Sequence, residues 1–166
     1  MSIELRHRPW AVAAASVVLL AAVLAACSDD EDDPAAVKQR DAVEVGDGGV
    51  GTCLQFPDDT GPSVTKLPVI DCDQPHTHEI YFVDVRPGSD VYPGFDVLED
   101  QARLTCLDEF ERYVGRGAFD SEFLYTWIVP SIESWNDQDV KDREILCLLG
   151  ARDGKPLVGK KYHANS

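Results

Sequence analysis

The pattern of apolar and polar positions predicts several strands and one long helix. Residues 78–85 are rich in β-branched and aromatic side chains, which is typical of a strand. Residues 96–114 instead place apolar side chains at intervals of three or four, which predicts an amphipathic helix with Gly115 as its C-cap. The apolar stripe of this helix consists of Leu98, Ala102, Cys106, Phe110 and Tyr113.

Shorter segments complete the predicted fold. Ser131 is a suitable N-cap for a short helix that reaches Trp135. Strands that surround one covering helix indicate an α+β domain with a mostly antiparallel sheet. The shorter strands are expected at residues 43–45, 52–56, 65–70, 123–129 and 143–149.

The N-terminus has the pattern of a lipoprotein export signal. Arg6 and Arg8 precede an uncharged apolar run over residues 10–26, which ends in Leu24-Ala25-Ala26-Cys27. Small residues suit the cleavage site of a lipoprotein signal peptidase, and the thiol after the cut carries diacylglycerol. We therefore predict a signal peptide at residues 1–26 and a lipid anchor at Cys27, on the extracytoplasmic face of the cell membrane. The alternative is an uncleaved signal anchor, but about 17 apolar residues only just reach the lower limit for a bilayer-spanning helix.

Acidic residues dominate the mature chain. The whole sequence has a net charge of −15, and removal of the signal peptide leaves 13 basic and 29 acidic residues, or about −16. Such a charge repels phosphate backbones, so nucleic-acid binding is not expected. We predict an acidic tether over residues 27–42, one domain over residues 43–150 and a polar tail over residues 151–166.

Four cysteines remain once Cys27 is assigned to lipid. In an oxidising compartment an even number indicates disulfides, and four cysteines allow three pairings. A turn between the second and third predicted strands would bring Cys53 near Cys72. Cys106 lies on the helix stripe, and Cys147 alternates with leucines in the last strand, so these two face each other if the helix covers that strand. We expect these two disulfides rather than a zinc site, because no Cys-x-x-Cys pair occurs.

The segment over residues 72–79 holds the best candidate functional residues. Within a strand, His76 and His78 would project to the same face and could share a metal ion. In the structural interpretation, His76 hydrogen-bonds the turn and Glu79 pairs with an arginine such as Arg143. We favour the structural interpretation, with the metal site as the alternative.

No catalytic group of residues stands out. The sequence has no Gly-x-Ser-x-Gly motif, and disulfides would consume the four thiols. Residues 46–51 match Gly-x-Gly-x-x-Gly, but a strand-like segment follows, whereas a dinucleotide site needs a helix there. We therefore expect neither an enzyme nor a cofactor.

These fragments, in this order, resemble the septum-formation domain family of actinobacterial envelope lipoproteins. The resemblance rests on Cys53 after a glycine-rich turn and on residues 72–80, 106–115, 130–135 and 142–147. It covers roughly residues 45–149, and His76 and Glu79 are the polar positions that match. The resemblance implies an extracytoplasmic module with a role in septum formation and without assigned catalytic residues.

The combined expectation is a non-enzymatic, lipid-anchored domain that binds an envelope or division protein or a cell-wall component. The alternative is an extracytoplasmic metal-binding protein that uses His76 and His78. The sequence leaves the partner and the oligomeric state open.

Overall fold

Antiparallel strand pairing produces one large sheet and one small sheet. The structure is a computed structural model, and it describes residues 43–44, 48–58, 64, 66–86, 88 and 90–166. The elements are β1 (Val43–Glu44), β2 (Cys53–Leu54), β3 (Lys66–Leu67), β4 (Val69–Ile70), β5 (His78–Val85), α1 (Phe95–Val114), β6 (Phe123–Ile128), α2 (Ile132–Asn136) and β7 (Glu144–Ala151). The large sheet has the order β4-β2-β5-β7-β6, and β1 pairs with β3. The predicted α+β class with an antiparallel sheet is confirmed.

Several N-terminal predictions lie outside the described residues. These are the signal peptide over residues 1–26, the lipid anchor at Cys27, the tether over residues 27–42 and the end of the first strand at Val45. Among the described residues, neither helix combines the length and the apolar character that crossing a membrane requires.

The helix α1 covers one face of the large sheet with the predicted stripe. Leu98, Ala102, Cys106 and Phe110 are all 0% exposed. The helix ends at Gly115, whose φ of 86° places it in the left-handed region and whose N–H bonds the carbonyl of Glu111, as a C-cap requires.

A smaller apolar cluster lies on the opposite face of the sheet. Alternation along β7 directs Ile145, Cys147 and Leu149 toward α1 and the residues between them toward this cluster. Its buried members are Leu54, Leu67, Val69, Ile80, Leu146 and Leu148.

Pro68 divides the strand that the sequence predicted over residues 65–70. Proline has no N–H to donate to a strand partner, although the carbonyl of Pro68 still accepts a bond from the N–H of Gln55 at 2.9 Å. The chain therefore pairs with β1 before the proline and with β2 after it.

A β-bulge at Tyr81 changes which side chains of β5 face the helix. Ile80 and Phe82 lie opposite the adjacent residues Leu148 and Cys147, so Tyr81 is the extra residue in this strand. Tyr81 and Phe82 consequently both pack into the cluster under α1.

Both predicted disulfides are confirmed. Cys53 is bonded to Cys72, which joins the start of β2 to the turn after β4. Cys106 is bonded to Cys147, which joins the middle of α1 to β7.

The segment after β7, which is predicted only as a polar tail, packs onto the domain. Leu157 is 4% exposed and exchanges two backbone hydrogen bonds with His76, at 2.9 and 2.7 Å. Further along, the N–H of His163 bonds the carbonyl of Tyr113 at the end of α1.

Substitution of Gly48 tests how tightly the glycine-rich turn packs against the smaller apolar cluster. A Cβ at this position would lie 2.4 Å from Leu67 Cδ1 and 2.8 Å from Ile80 Cδ1. Both neighbours are 0% exposed and have little room to move. We expect Gly48→Ala to lower the free energy of unfolding by about 1–3 kcal/mol, measured by denaturant titration of the oxidised chain. Gly49→Ala is the matched control because nothing lies within 4 Å of its Cβ position, and an equal loss in both variants would contradict the prediction.

Candidate functional site

His76 lies in the turn that leads into β5, and its imidazole is entirely buried. The ring Nδ1 is 2.8 Å from the carbonyl of Gln74, so the predicted hydrogen bond to the turn is confirmed. A carbonyl can only accept, and Nδ1 must therefore carry the proton. Among the residues that the structure describes, none forms a hydrogen bond with the buried Nε2.

Glu79 lies in β5, faces α1 and is 0% exposed. The hydroxyl of Tyr113 donates to Glu79 Oε1 at 2.5 Å, and the backbone N–H of Lys161 donates to Oε2 at 2.8 Å. The carboxylate thus connects the sheet to the end of α1 and to the C-terminal segment. Two donors supply the hydrogen bonds that a buried carboxylate needs.

The predicted pairing of Glu79 with Arg143 is wrong. The Arg143 guanidinium donates to the carbonyls of Trp135 and Asp142 at 2.7 and 2.8 Å, and it lies 3.9 Å from the centroid of the Trp135 ring. Arg143 therefore holds α2 against the start of β7, and Glu79 takes its donors from elsewhere.

Tyr113 remains a hydrogen-bond donor across the ordinary pH range. Burial raises the pKa of its phenol above the usual value, and the hydrogen bond to Glu79 raises it further. The protonated phenol is the form that donates to a carboxylate.

His78 has a different environment from His76. Its Nδ1 lies 3.0 Å from the hydroxyl of Thr77, and its ring packs edge-on against Phe56. Burial lowers the pKa of His78, and the neighbouring His76 lowers it further. Both effects favour the neutral imidazole.

The structure places His76 with Glu79 and Cys53. A ring nitrogen of His76, a carboxylate oxygen of Glu79 and Cys53 Sγ all lie within 4.8 Å of one another, and His78 does not belong to this group. Cys53 is bonded to Cys72, so its sulfur is not a thiolate in the oxidised chain. In this state the group forms part of the protein interior, and the metal-binding role of His76 and His78 stays a prediction.

Neither His76 nor Glu79 lines the two cavities that the structure shows among the described residues. A cavity of about 550 Å³ lies between the end of β7 and the C-terminal segment, with Arg152, Leu157 and Lys161 in its wall, and neither His76 nor Glu79 lines it. The guanidinium of Arg152 is engaged with the carbonyls of Ala118, Ser121 and Phe123.

Sequence reasoning missed both partners of Glu79. Tyr113 was predicted only as part of the apolar stripe, and the one available signal was that a tyrosine, with its polar hydroxyl, stands at the C-terminal end of that stripe. The contact with Lys161 uses a backbone amide, which no side-chain pattern reveals.

Trp135 is a core residue, and exposed apolar side chains flank its contact with Tyr92. It is 3% exposed, and the ring of Tyr92 packs against it edge-on at 5.7 Å. Val91, Phe95 and Ile132 flank this contact along the chain and are 74%, 53% and 50% exposed. We call Val91, Tyr92, Phe95 and Ile132 the Tyr92 surface.

Comparison with known proteins supports the resemblance seen in the sequence. A family model described as septum formation matches residues 29–161, which is most of the chain. No curated protein and no solved structure matches.

Glu79 and Tyr113 offer a test of the buried connection. We expect Glu79→Gln to lower the free energy of unfolding by about 2–4 kcal/mol. The Tyr113 hydroxyl and the Lys161 N–H both donate to the carboxylate, and a neutral amide is a poorer partner for these two donors. Tyr113→Phe should cost about 1–3 kcal/mol, because it leaves one carboxylate oxygen without its donor.

The measurement is denaturant unfolding of the single and double variants. Since the two groups share one hydrogen bond, the double variant should lose less than the sum of the single losses. Strict additivity would show that the two side chains do not interact in solution.

Proposed function

Because the chain belongs to the septum-formation family, we propose that it is a lipid-anchored, non-enzymatic module that binds a protein of the division envelope on the extracytoplasmic face of the membrane. The family membership supports a role in cell division or the envelope. The anchor, the location and the partner are parts of the proposal.

The burial of His76 and Glu79 carries the non-enzymatic part of this proposal. Both side chains are 0% exposed, and their hydrogen bonds join parts of the same domain. A catalytic acid or base must reach its substrate within hydrogen-bond distance. Residues with these contacts serve the fold, and recognition is then a property of the surface.

The Tyr92 surface supports a protein as the partner. Exposed apolar side chains in one region are typical of interaction sites. Here they stand on the first turns of α1 and α2 or just before them, and the contact between Tyr92 and Trp135 holds these segments together.

The charge around the Tyr92 surface defines the chemistry of the partner. Burial raises the pKa of Tyr92, and the nearby carboxylates of Glu133 and Asp96 raise it further. Apolar side chains with carboxylates beside them complement an apolar segment that is flanked by lysine or arginine. The net charge of −15 acts against an anionic wall polymer. We therefore assign the surface to a basic, apolar segment of an envelope protein.

The proposed surface can be tested by photo-crosslinking in intact cells. A photoreactive residue at Val91 should form one protein adduct, and Phe95→Asp with Ile132→Asp should lower its yield by about tenfold or more. Glu133→Gln and added salt should also lower the yield, because they weaken the attraction to a basic partner.

Phe119→Asp is the matched control for the crosslinking experiment. Phe119 is 80% exposed and follows the opposite end of α1, and a helix of 20 residues is about 30 Å long. This variant should leave the adduct unchanged. An adduct with glycan, or a yield that the Phe95 and Ile132 changes do not alter, would contradict the proposed partner.

The lipid anchor is tested at Cys27. A clickable fatty acid should label the wild-type chain and the control variant Ser28→Ala, whereas Cys27→Ala should lose the label. A wild-type chain that lies in the membrane fraction without the label would favour the uncleaved signal anchor instead.

A further inference from the structure

His76 has the electronic arrangement of a metal ligand. Its Nδ1 proton is donated to the carbonyl of Gln74, so Nε2 carries a lone pair. Nε2 is buried, and no hydrogen-bond donor among the described residues reaches it. A histidine that ligates a metal typically has its other ring nitrogen held by a carbonyl in this way.

Two further groups lie beside this imidazole. Cys53 Sγ, a Glu79 carboxylate oxygen and a ring nitrogen of His76 are within 4.8 Å of one another. Ligand atoms around one tetrahedral Zn²⁺ ion lie about 3.3–3.8 Å apart, given bonds of about 2.0–2.3 Å, which is about 1 Å less than the 4.8 Å limit here. The three groups therefore need only a small movement to share an ion.

The oxidation state of Cys53 and Cys72 determines whether this group can bind a metal ion. In the oxidised chain the sulfur of Cys53 is bonded to Cys72 and carries no charge. The thiolate is the form of cysteine that ligates a metal. We infer that the Cys53–Cys72 disulfide prevents zinc binding at this group of side chains. Its reduction allows Cys53, Cys72, His76 and Glu79 to bind one Zn²⁺ ion.

The surrounding residues already orient the ligands. Tyr113 and the N–H of Lys161 each hold one oxygen of Glu79, and each oxygen keeps a further lone pair. Cys72, His76 and Glu79 are supplied by a single turn and the first residues of β5. Two sulfurs, one nitrogen and one oxygen make a tetrahedral set of the kind that Zn²⁺ prefers.

The reduction and the binding step balance. A dithiol passes two electrons and two protons to the disulfide, so the S–S bond breaks, two thiols form and the dithiol becomes a disulfide. Zn²⁺ then replaces both thiol protons, which pass to the solvent. In the reverse direction, the two thiolates pass two electrons to a reagent disulfide, which takes two protons from the solvent to become a dithiol, so the Cys53–Cys72 bond forms again and the ion is released.

The surface beside Cys72 gives both reagents access. A cavity of about 510 Å³ is lined by Cys72 together with Gly51, Asp71, Asp73 and Lys160. Cys72 is partly exposed and lines this cavity, so an attacking thiolate can approach the disulfide from this side. The two carboxylates in the wall outnumber the lysine, which favours entry of a cation.

This site is independent of the proposed partner, and its ligands differ from the pair His76 and His78 that the sequence suggested. The test uses the full chain in detergent, reduced with dithiothreitol and then freed of it without air. Elemental analysis should find about one equivalent of Zn²⁺ in the reduced chain and at least tenfold less in the oxidised chain. Zinc bound equally in both states, or in neither, would overturn the inference.

Alkylation identifies the cysteines that bind Zn²⁺, and it requires no substitution. In the reduced chain, Zn²⁺ should protect Cys53 and Cys72 from iodoacetamide, and a chelator should remove the protection. Cys106 and Cys147 should react at the same rate with and without Zn²⁺. Zinc-dependent protection of that second pair alone would contradict the inference.

Cobalt reports the ligand types. Co²⁺ added to the reduced wild-type chain should show the visible spectrum of a tetrahedral ion and a thiolate charge-transfer band, and His76→Gln should weaken both. Tyr113→Phe should lower the affinity for Zn²⁺ by about 10–100-fold, because it releases one oxygen of Glu79. His78→Gln is the matched control and should retain the spectrum. Loss of binding in His78→Gln but not in His76→Gln would transfer the site to the other histidine.

Discussion

The assembly of this domain depends on one buried carboxylate. Glu79 is 0% exposed, and a charge taken out of water costs several kcal/mol unless donors replace its hydration. Its two donors, the hydroxyl of Tyr113 and the amide of Lys161, are 34 and 82 residues away in the chain. β5, the end of α1 and the C-terminal segment must therefore come together before the charge is satisfied. This requirement makes the C-terminal segment part of the fold.

The two disulfides reinforce other places in the same domain. Cys106–Cys147 connects the covering helix to the sheet, and Cys53–Cys72 connects β2 to the turn that carries His76. This framework of long-range connections also carries the side chains around Tyr92, and it suits the recognition role that we propose for this member of the septum-formation family. The same Cys53–Cys72 bond determines whether thiolates stand beside His76, so the oxidation state belongs to the chemistry of this region.

Side-chain periodicity was enough to predict the large elements. The strand over residues 78–85 has the predicted bounds, and α1 begins one residue earlier than predicted and ends at the same Val114. Helix periodicity and strand alternation both define the direction of a side chain, which is why they selected the correct partners for Cys106 and Cys147. Local interruptions of a period were not predicted. Pro68 divides one strand, and the bulge at Tyr81 turns two adjacent residues of β5 toward the helix.

The α+β class, the pairing of four cysteines and the segment that holds the buried polar groups could all be predicted from side-chain patterns along the chain. The contacts of those polar groups are a result of the folded arrangement. Arg143 lies against Trp135, whereas Tyr113 and Lys161 hold Glu79, and His76 lies with Glu79 and Cys53. The physical reason is that periodicity reports the face that a side chain shares with its near neighbours. The partners of a buried charge come from distant parts of the chain, and folding alone brings them within hydrogen-bond distance.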